Sequence, residues 1–390
     1  MPDSREITDP VYNKNFLLLF AFGFLSALSF TCSPVYPLYV AASGGDAATI
    51  GWFMGIAPLT AVASRLFIGP LIDTWGAKRI LQLGSFFLAV PPLVYLLTVD
   101  EGLVGLVWFF RIVHGAGWGA YYTSFFTLAG KLSPELRRNE ALSMYGIASI
   151  TAAMLGPLTG EWLVNTHGFR PFFALLSGLN FSALALLAFI PSPARETSQS
   201  PRQNDTAAWL KTPGLLLFVF TALLFTLAIA TPRNFMAPFA HSRGIIPFAP
   251  YFTVFSLANI IARLAGGKLG DRLGQEKILI PSCLVYGLGL FSISISHNFS
   301  SLMLAGLLCG ISNGLAFPAM MALSYKIAAK QHTGKVMALI TGMMDAGSGF
   351  NAFLLGIMAS KTGYGTIFYV PIISIVMVAI ILLGQIKRTR

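Results

Sequence analysis

Charge is scarce in this chain of 390 residues. Asp, Glu, Lys and Arg make up 11% of it, against about a quarter of an ordinary soluble domain, so there is too little polar surface to cover a water-facing globule. Long polar stretches are scarce too, and the most extended one runs from Pro191 to Pro213. Three cysteines, Cys32, Cys283 and Cys309, stand far apart without metal-ligand or disulfide spacing. That excludes a disulfide-stapled or zinc-held fold and leaves them as small packing residues. No G-x-x-x-x-G-K-S/T loop, His/Cys metal cluster or nucleophile elbow occurs in the sequence. Nucleotide-driven work, resident metals and ordinary enzymology are therefore not expected, and any driving energy must come from a gradient.

What is present is apolar. Hydrophobic residues make up 55% of the chain and the mean hydropathy is +0.71, so lipid is the expected solvent. Runs long enough for a helix to cross about 30 Å of hydrocarbon fall near 16–40, 50–69, 80–98, 103–130, 141–164, 171–190, 213–238, 248–267, 278–296, 301–325, 335–359 and 365–386. The first follows a hydrophilic stretch and ends in Pro34, Pro37 and aromatics, which predicts a retained helix and not a cleaved signal. The expected fold is an all-α membrane protein of twelve transmembrane helices.

The net charge of +11 could suggest nucleic acid, so its placement matters. With a cytoplasmic amino terminus, 19 of the 26 Lys and Arg fall on the inner side, four outside (Arg170, Arg233, Arg243, Lys361) and three within spans (Arg65, Arg111, Arg263). This is the positive-inside pattern. It predicts both termini in the cytoplasm and makes the basicity a matter of topology, with the lipid bilayer and not nucleic acid as the partner.

Pro191 to Pro213 separates the sixth and seventh spans, so residues 1–190 and 213–390 are expected as six-helix bundles joined by a cytoplasmic linker at 191–212. "RLFIGPLIDTWGAKR" (65–79) returns as "RLAGGKLGDRLGQEK" (263–277), 198 positions later and after the equivalent span, which marks an internal repeat. This doubled G-x-L-x-D-x-x-G loop resembles the signature loop of the major facilitator superfamily. "RIVHGAGWGA" (111–120) is similar to the family's R-x-x-x-G-x-G element, and "GPLTGE" (156–161) to the G-P-x-x-G core found in its exporters. There Ser143, Ala152 and Glu161 depart from the longer pattern of glycines. "SPVYPLYV" (33–40) also resembles drug:proton antiporters of the family. The resemblance implies two pseudo-symmetric bundles working by alternating access, in a bacterial inner membrane.

Candidate residues follow. Gly69, Asp73, Gly76 and Arg79, with Gly267, Asp271 and Gly274, are expected to form a two-part conformational latch: the glycines allow a tight turn and close helix approach, and the Asp meets a helix dipole or a nearby cation. Gly156, Pro157 and Gly160 are expected to thin and bend span five. Ionisable groups inside spans are costly and default to functional candidates. Asp345, near mid-span, Glu161, near the watery outer end of span five, and His114 are the proton-coupling candidates. Arg111 and His114, three apart, share a helix face, and Arg111 can bind an anionic group or act on a carboxylate. Tyr36, Tyr39, Trp118, Tyr121, Tyr122, Asn234, Asn259, Asn313 and Asn351 are further candidates for a cavity that would suit a moderately apolar solute bearing a polar group.

The expected function is proton-coupled efflux of a small organic compound such as a drug, metabolite or metallophore, without cofactor or metal and powered by the proton gradient. Uptake or facilitated diffusion of an organic anion is the alternative. A non-transporting receptor or scaffold is the third reading, and no large sensory segment supports it.

Overall fold

The computed structural model describes residues 11–192, 214–327 and 333–389. The expected linker at 191–212 thus lies almost wholly outside the described residues, as do the side chains at 267–273.

Helix α1 covers Lys14–Thr31, and a 3-10 turn at Ser33–Val35 passes it into the short α2, Tyr36–Ala42. Then come α3 (Ala47–Trp75), α4 (Ala77–Leu97), α5 (Gly105–Leu132), α6 (Arg138–His167) and α7 (Phe169–Ala188). The second half holds α8 (Leu215–Ser242), α9 (Pro250–Leu273), α10 (Gln275–Ser294), α11 (Phe299–Ile327), α12 (Thr333–Thr362) and α13 (Tyr369–Thr389). With α1 and α2 counted as one, these are the twelve expected membrane helices. Among the described residues, nine are long and apolar enough to span on length and composition alone. The other three, α5, α9 and α12, contain Arg111, Arg263 and Asp345. In hydrocarbon every backbone N–H and C=O must be satisfied within the segment, so apolar runs of this length have only the helix open to them.

The helices run a few residues past most of the apolar runs, because polar ends continue the backbone ladder toward the interface. One end reverses a sequence expectation. Arg233, counted with the outer-loop cations, lies inside α8, nine residues before its last residue, Ser242.

The chain divides into two compact units, and the division does not follow the linker alone. The first unit holds the residues up to Ser33 and those from Leu59 to the linker; the second holds Pro34–Pro58 together with the second half. Bare backbone explains why Pro34–Pro58 lies with the second unit: a Cβ on Gly51 would stand 2.8 Å from the Gly356 Cα, and one on Gly356 would stand 2.6 Å from the Gly51 Cα. Here α3 lies directly on α12.

Within the first unit Phe16, Phe22, Leu81, Leu88, Tyr121, Phe125 and Tyr145 form a buried core. Polar clamps tie its helices: Asn180 Nδ2 donates to Ser29 Oγ at 2.7 Å, Ser29 Oγ to the Leu176 carbonyl at 3.2 Å, and Ser177 Oγ to the Ala89 carbonyl at 2.9 Å. Within the second unit Ser374 Oγ donates to the Leu224 carbonyl at 2.8 Å and Ser312 Oγ to the Ser282 carbonyl at 2.5 Å. Such bonds join helices where lipid offers no hydrophobic drive between them.

The doubled loop is the same turn built twice. Gly76, between α3 and α4, has φ 87° and ψ 147°; Gly274, between α9 and α10, has φ 92° and ψ 142°. Only glycine enters that region readily. Gly69 does not serve the close approach expected of it among the described residues: it lies within α3, and beyond its own turn of helix none of their atoms stands within 4 Å of where its Cβ would be. Asp73 is exposed in the last turn of α3, and among the described residues no ion pair holds it.

Candidate functional site

In the first unit, α5 carries Arg111 and His114 on one face, both buried. Arg111 Nη1 lies 3.4 Å from His114 Nδ1. A guanidinium only donates, so in this contact Nδ1 stands on the accepting side. His114 thereby orients Arg111.

Glu161 lies on α6, and it corrects an expectation. At the outer end of span five it was expected near water, yet it is 2% exposed. Gly156, five residues earlier on α6, marks a close approach of two helices. A Cβ there would stand 2.9 Å from the Thr31 carbonyl carbon and 3.1 Å from the Cys32 backbone nitrogen, so α6 lies flat against the end of α1. Thr31 Oγ1 donates to the Ala152 carbonyl at 2.7 Å and Cys32 Sγ to the Gly156 carbonyl at 3.1 Å, closing the seam. Pro157 continues inside α6 without ending it. Arg111 stands six residues from the start of α5 and Glu161 six from the end of α6, each about 9 Å in along its helix. The two helices follow one another in the chain and are in contact, and each carries a buried ionisable group at about the same distance from one of its ends.

Aromatic rings line the rest of α5. Trp118 stacks on Phe30 at 3.6 Å and approaches Tyr121 at 5.5 Å and Tyr122 at 5.8 Å, while Tyr121 stacks on Phe125 at 5.7 Å. Tyr121 is buried in the core and Tyr122 is exposed. Tyr36 and Tyr39 are buried in the second unit, edge-on to Phe53 at 6.0 and 6.3 Å.

In the second unit α8 and α12 share a polar seam. Asn234 Nδ2 donates to Asn351 Oδ1 at 2.9 Å, and Asn351 Nδ2 donates to the Leu227 carbonyl and Thr231 Oγ1, each at 2.7 Å. Both amides are buried and act as helix-to-helix ties. Gly347 lets the backbones meet, since a Cβ there would stand 2.5 Å from the Leu223 carbonyl oxygen. Arg233, half-buried beside Pro232, donates to Ser348 Oγ on the same seam. Asp345, also half-buried, lies one turn before Ser348 on α12, so Arg233 reaches the stretch of helix that carries it. Sequence reasoning passed over Arg233 because a cation near a helix end reads as a topology signal. The available sign was that apolar residues resume after it, in "FMAPFA" (235–240). Asn259 is buried on α9 and Asn313 half-buried on α11, away from the seam.

A family model described as Major Facilitator Superfamily matches residues 18–246 and 249–390. A curated relative, multidrug resistance protein MdtG of Enterobacter lignolyticus (strain SCF1), is 25% identical over 401 residues, covering 97% of this chain and 93% of that protein. The protein of the same name from Salmonella typhi is 24% identical over 405 residues, covering 97% of each. Among solved structures, a POT family transporter in complex with 5-aminolevulinic acid superposes with a TM-score of 0.80 at 13% identity, over 99% of this chain and all of that one; it speaks to the fold alone.

Proposed function

The chain belongs to the Major Facilitator Superfamily, and from that membership we propose that this transporter exports a small organic compound from a bacterial cytoplasm in exchange for protons. The observation that carries the reading is the set of ionisable groups within its membrane helices: buried Arg111 and Glu161 in the first unit and half-buried Asp345 in the second. An isolated charge is expensive in hydrocarbon, so a carboxyl group there has reason to gain and lose a proton as its surroundings change. Export is supported by the names of relatives that match over nearly their whole length, each a multidrug resistance protein.

In this reading the outward-open protein releases its compound and takes a proton on Glu161 or Asp345. After the swing inward, the proton leaves as the next molecule binds. Arg111, oriented by His114, favours the ionised carboxylate and the polar group of the compound alike, so proton and cargo compete. Alternating access makes the exchange obligatory, since each state opens to one side. Both termini and the doubled loop face the cytoplasm, and the proton gradient replaces any cofactor.

Overexpression in a bacterium lacking its own pumps should raise tolerance to at least one toxic organic compound. That compound should then elicit proton movement from proteoliposomes held under a pH gradient. Transport of the compound with no accompanying proton flux would sink the coupling.

A further inference from the structure

The first half carries a second repeated device, hidden by a change of offset. Arg65 on α3 places its guanidinium 5.5 Å from the ring centre of Tyr122 on α5. Arg263 on α9 places its own 6.0 Å from the ring centre of Phe317 on α11. The arginines are 198 positions apart and the rings 195. The three-residue difference is the length difference of the connection between the third and fourth spans, 98–104 in the first half and 295–298 in the second.

The backbone beneath each pair repeats as well. One turn before Tyr122, a Cβ on Gly119 would stand 2.7 Å from the Ala61 carbonyl oxygen; one turn before Phe317, a Cβ on Gly314 would stand 2.5 Å from the Asn259 carbonyl oxygen. Ala61 and Asn259 are themselves 198 apart, each four residues before its arginine. In each unit, then, a glycine brings the second helix against the fourth, and a cation lies over the aromatic ring just beyond. A ring face attracts a cation, and a planar guanidinium stacks on it where an ammonium would not.

We propose that Arg65 and Arg263 are paired positioning residues that clasp the second helix of each half to the fourth, so that each charged turn moves as one piece with its neighbour. The turn motifs begin four residues later, at Gly69 and Gly267. In the first half the helix so clasped is the one bearing Arg111 and His114. A rearrangement of the loop between α3 and α4 is thereby delivered to the candidate site through a rigid pair of helices. The functional part of this inference rests on alternating access; the clasp itself does not.

The test has two arms. In the full-length protein, spin labels at positions 74 and 131, both exposed, report the distance between the ends of α3 and α5. The unsubstituted protein and Tyr122→Phe should give one narrow distance distribution. Arg65→Gln and Tyr122→Leu should each broaden it, and the double variant should be no broader than either. A distribution left narrow by Arg65→Gln overturns the clasp. The second arm measures ethidium efflux from proteoliposomes. Arg65→Gln, Arg263→Gln and Phe317→Leu should lower the maximal rate about tenfold with KM within about twofold, as expected when a conformational step slows. Phe317→Tyr should stay at the unsubstituted rate. A rise in KM at unchanged maximal rate would instead make the arginines ligand contacts and overturn the positioning role. Failure of the unsubstituted protein to move ethidium counts against the efflux reading alone, because the distance arm needs no transported probe.

Discussion

Arg111 Nη1 and His114 Nδ1 face each other at 3.4 Å on one side of α5, both buried. The contact requires an acceptor at position 114. His114→Asn, whose carbonyl can take the same place, should keep substantial transport. His114→Leu removes that acceptor, a hydrogen bond worth about 0.5–1.5 kcal/mol, and should lower both thermal stability in detergent and transport. Equal transport by the two variants would show that Arg111 needs no such orientation.

Glycine should divide by position. Gly156→Ala forces a Cβ against the Thr31 and Cys32 backbone, overpacking that typically costs about 1–3 kcal/mol, and the midpoint of thermal unfolding should fall. Gly69→Ala meets open space inside a helix and should be neutral or stabilising by up to about 1 kcal/mol. Purified variants compared by thermal unfolding will decide, and a reversed order would refute the packing of α6 on α1.

The amide seam of α8 and α12 predicts a stability loss with a double-mutant signature. Asn351→Leu removes donors to Leu227 and Thr231 and the acceptor for Asn234. Interhelical bonds in membranes are worth about 0.6–2 kcal/mol, and Asn234→Leu added to Asn351→Leu should cost less than the sum of the two singles. Strict additivity would mean the two amides do not act together.

Asp46 starts α3, accepting from Thr49 N at 2.8 Å and Thr49 Oγ1 at 2.6 Å. The Thr49 side chain, aided by its backbone N–H, holds the Asp46 carboxyl below the usual carboxylate range. A folded-state value that is depressed gives stability present above the ordinary carboxylate pKa and lost as pH falls through the depressed one. Unfolding midpoints measured between about pH 6 and pH 3 should therefore drop less steeply for Asp46→Asn than for the unsubstituted protein. Identical acid limbs would remove Asp46 from the account.

The fold was legible because lipid imposes a simple rule. A run of apolar residues long enough to cross must be a helix, and the helices start and stop within a few residues of most of the runs from Phe16 onward. Gly76 and Gly274 were legible because a turn of one residue leaves a composition signal. The site was less so. Glu161 looked wet because depth along a helix was taken for exposure, whereas the folded chain buries it. Arg233 looked like a loop cation because charge marks helix ends in most spans, whereas α8 runs on to Ser242 and Arg233 bonds to Ser348 on α12. The arginine–aromatic pairs escaped because one offset aligns the second helices and another the fourth, and no single comparison brings both into register.

The turns at Gly76 and Gly274 bear on handedness. Every long element among the described residues is a right-handed helix, wound that way by the chirality of its residues. At these two points the backbone takes an angle of the opposite sense, and it does so at the one amino acid that has no handedness. Any other residue would bring a chirality at odds with the turn. Of the positions shared by the two loops, these are therefore fixed by stereochemistry before charge or size is considered.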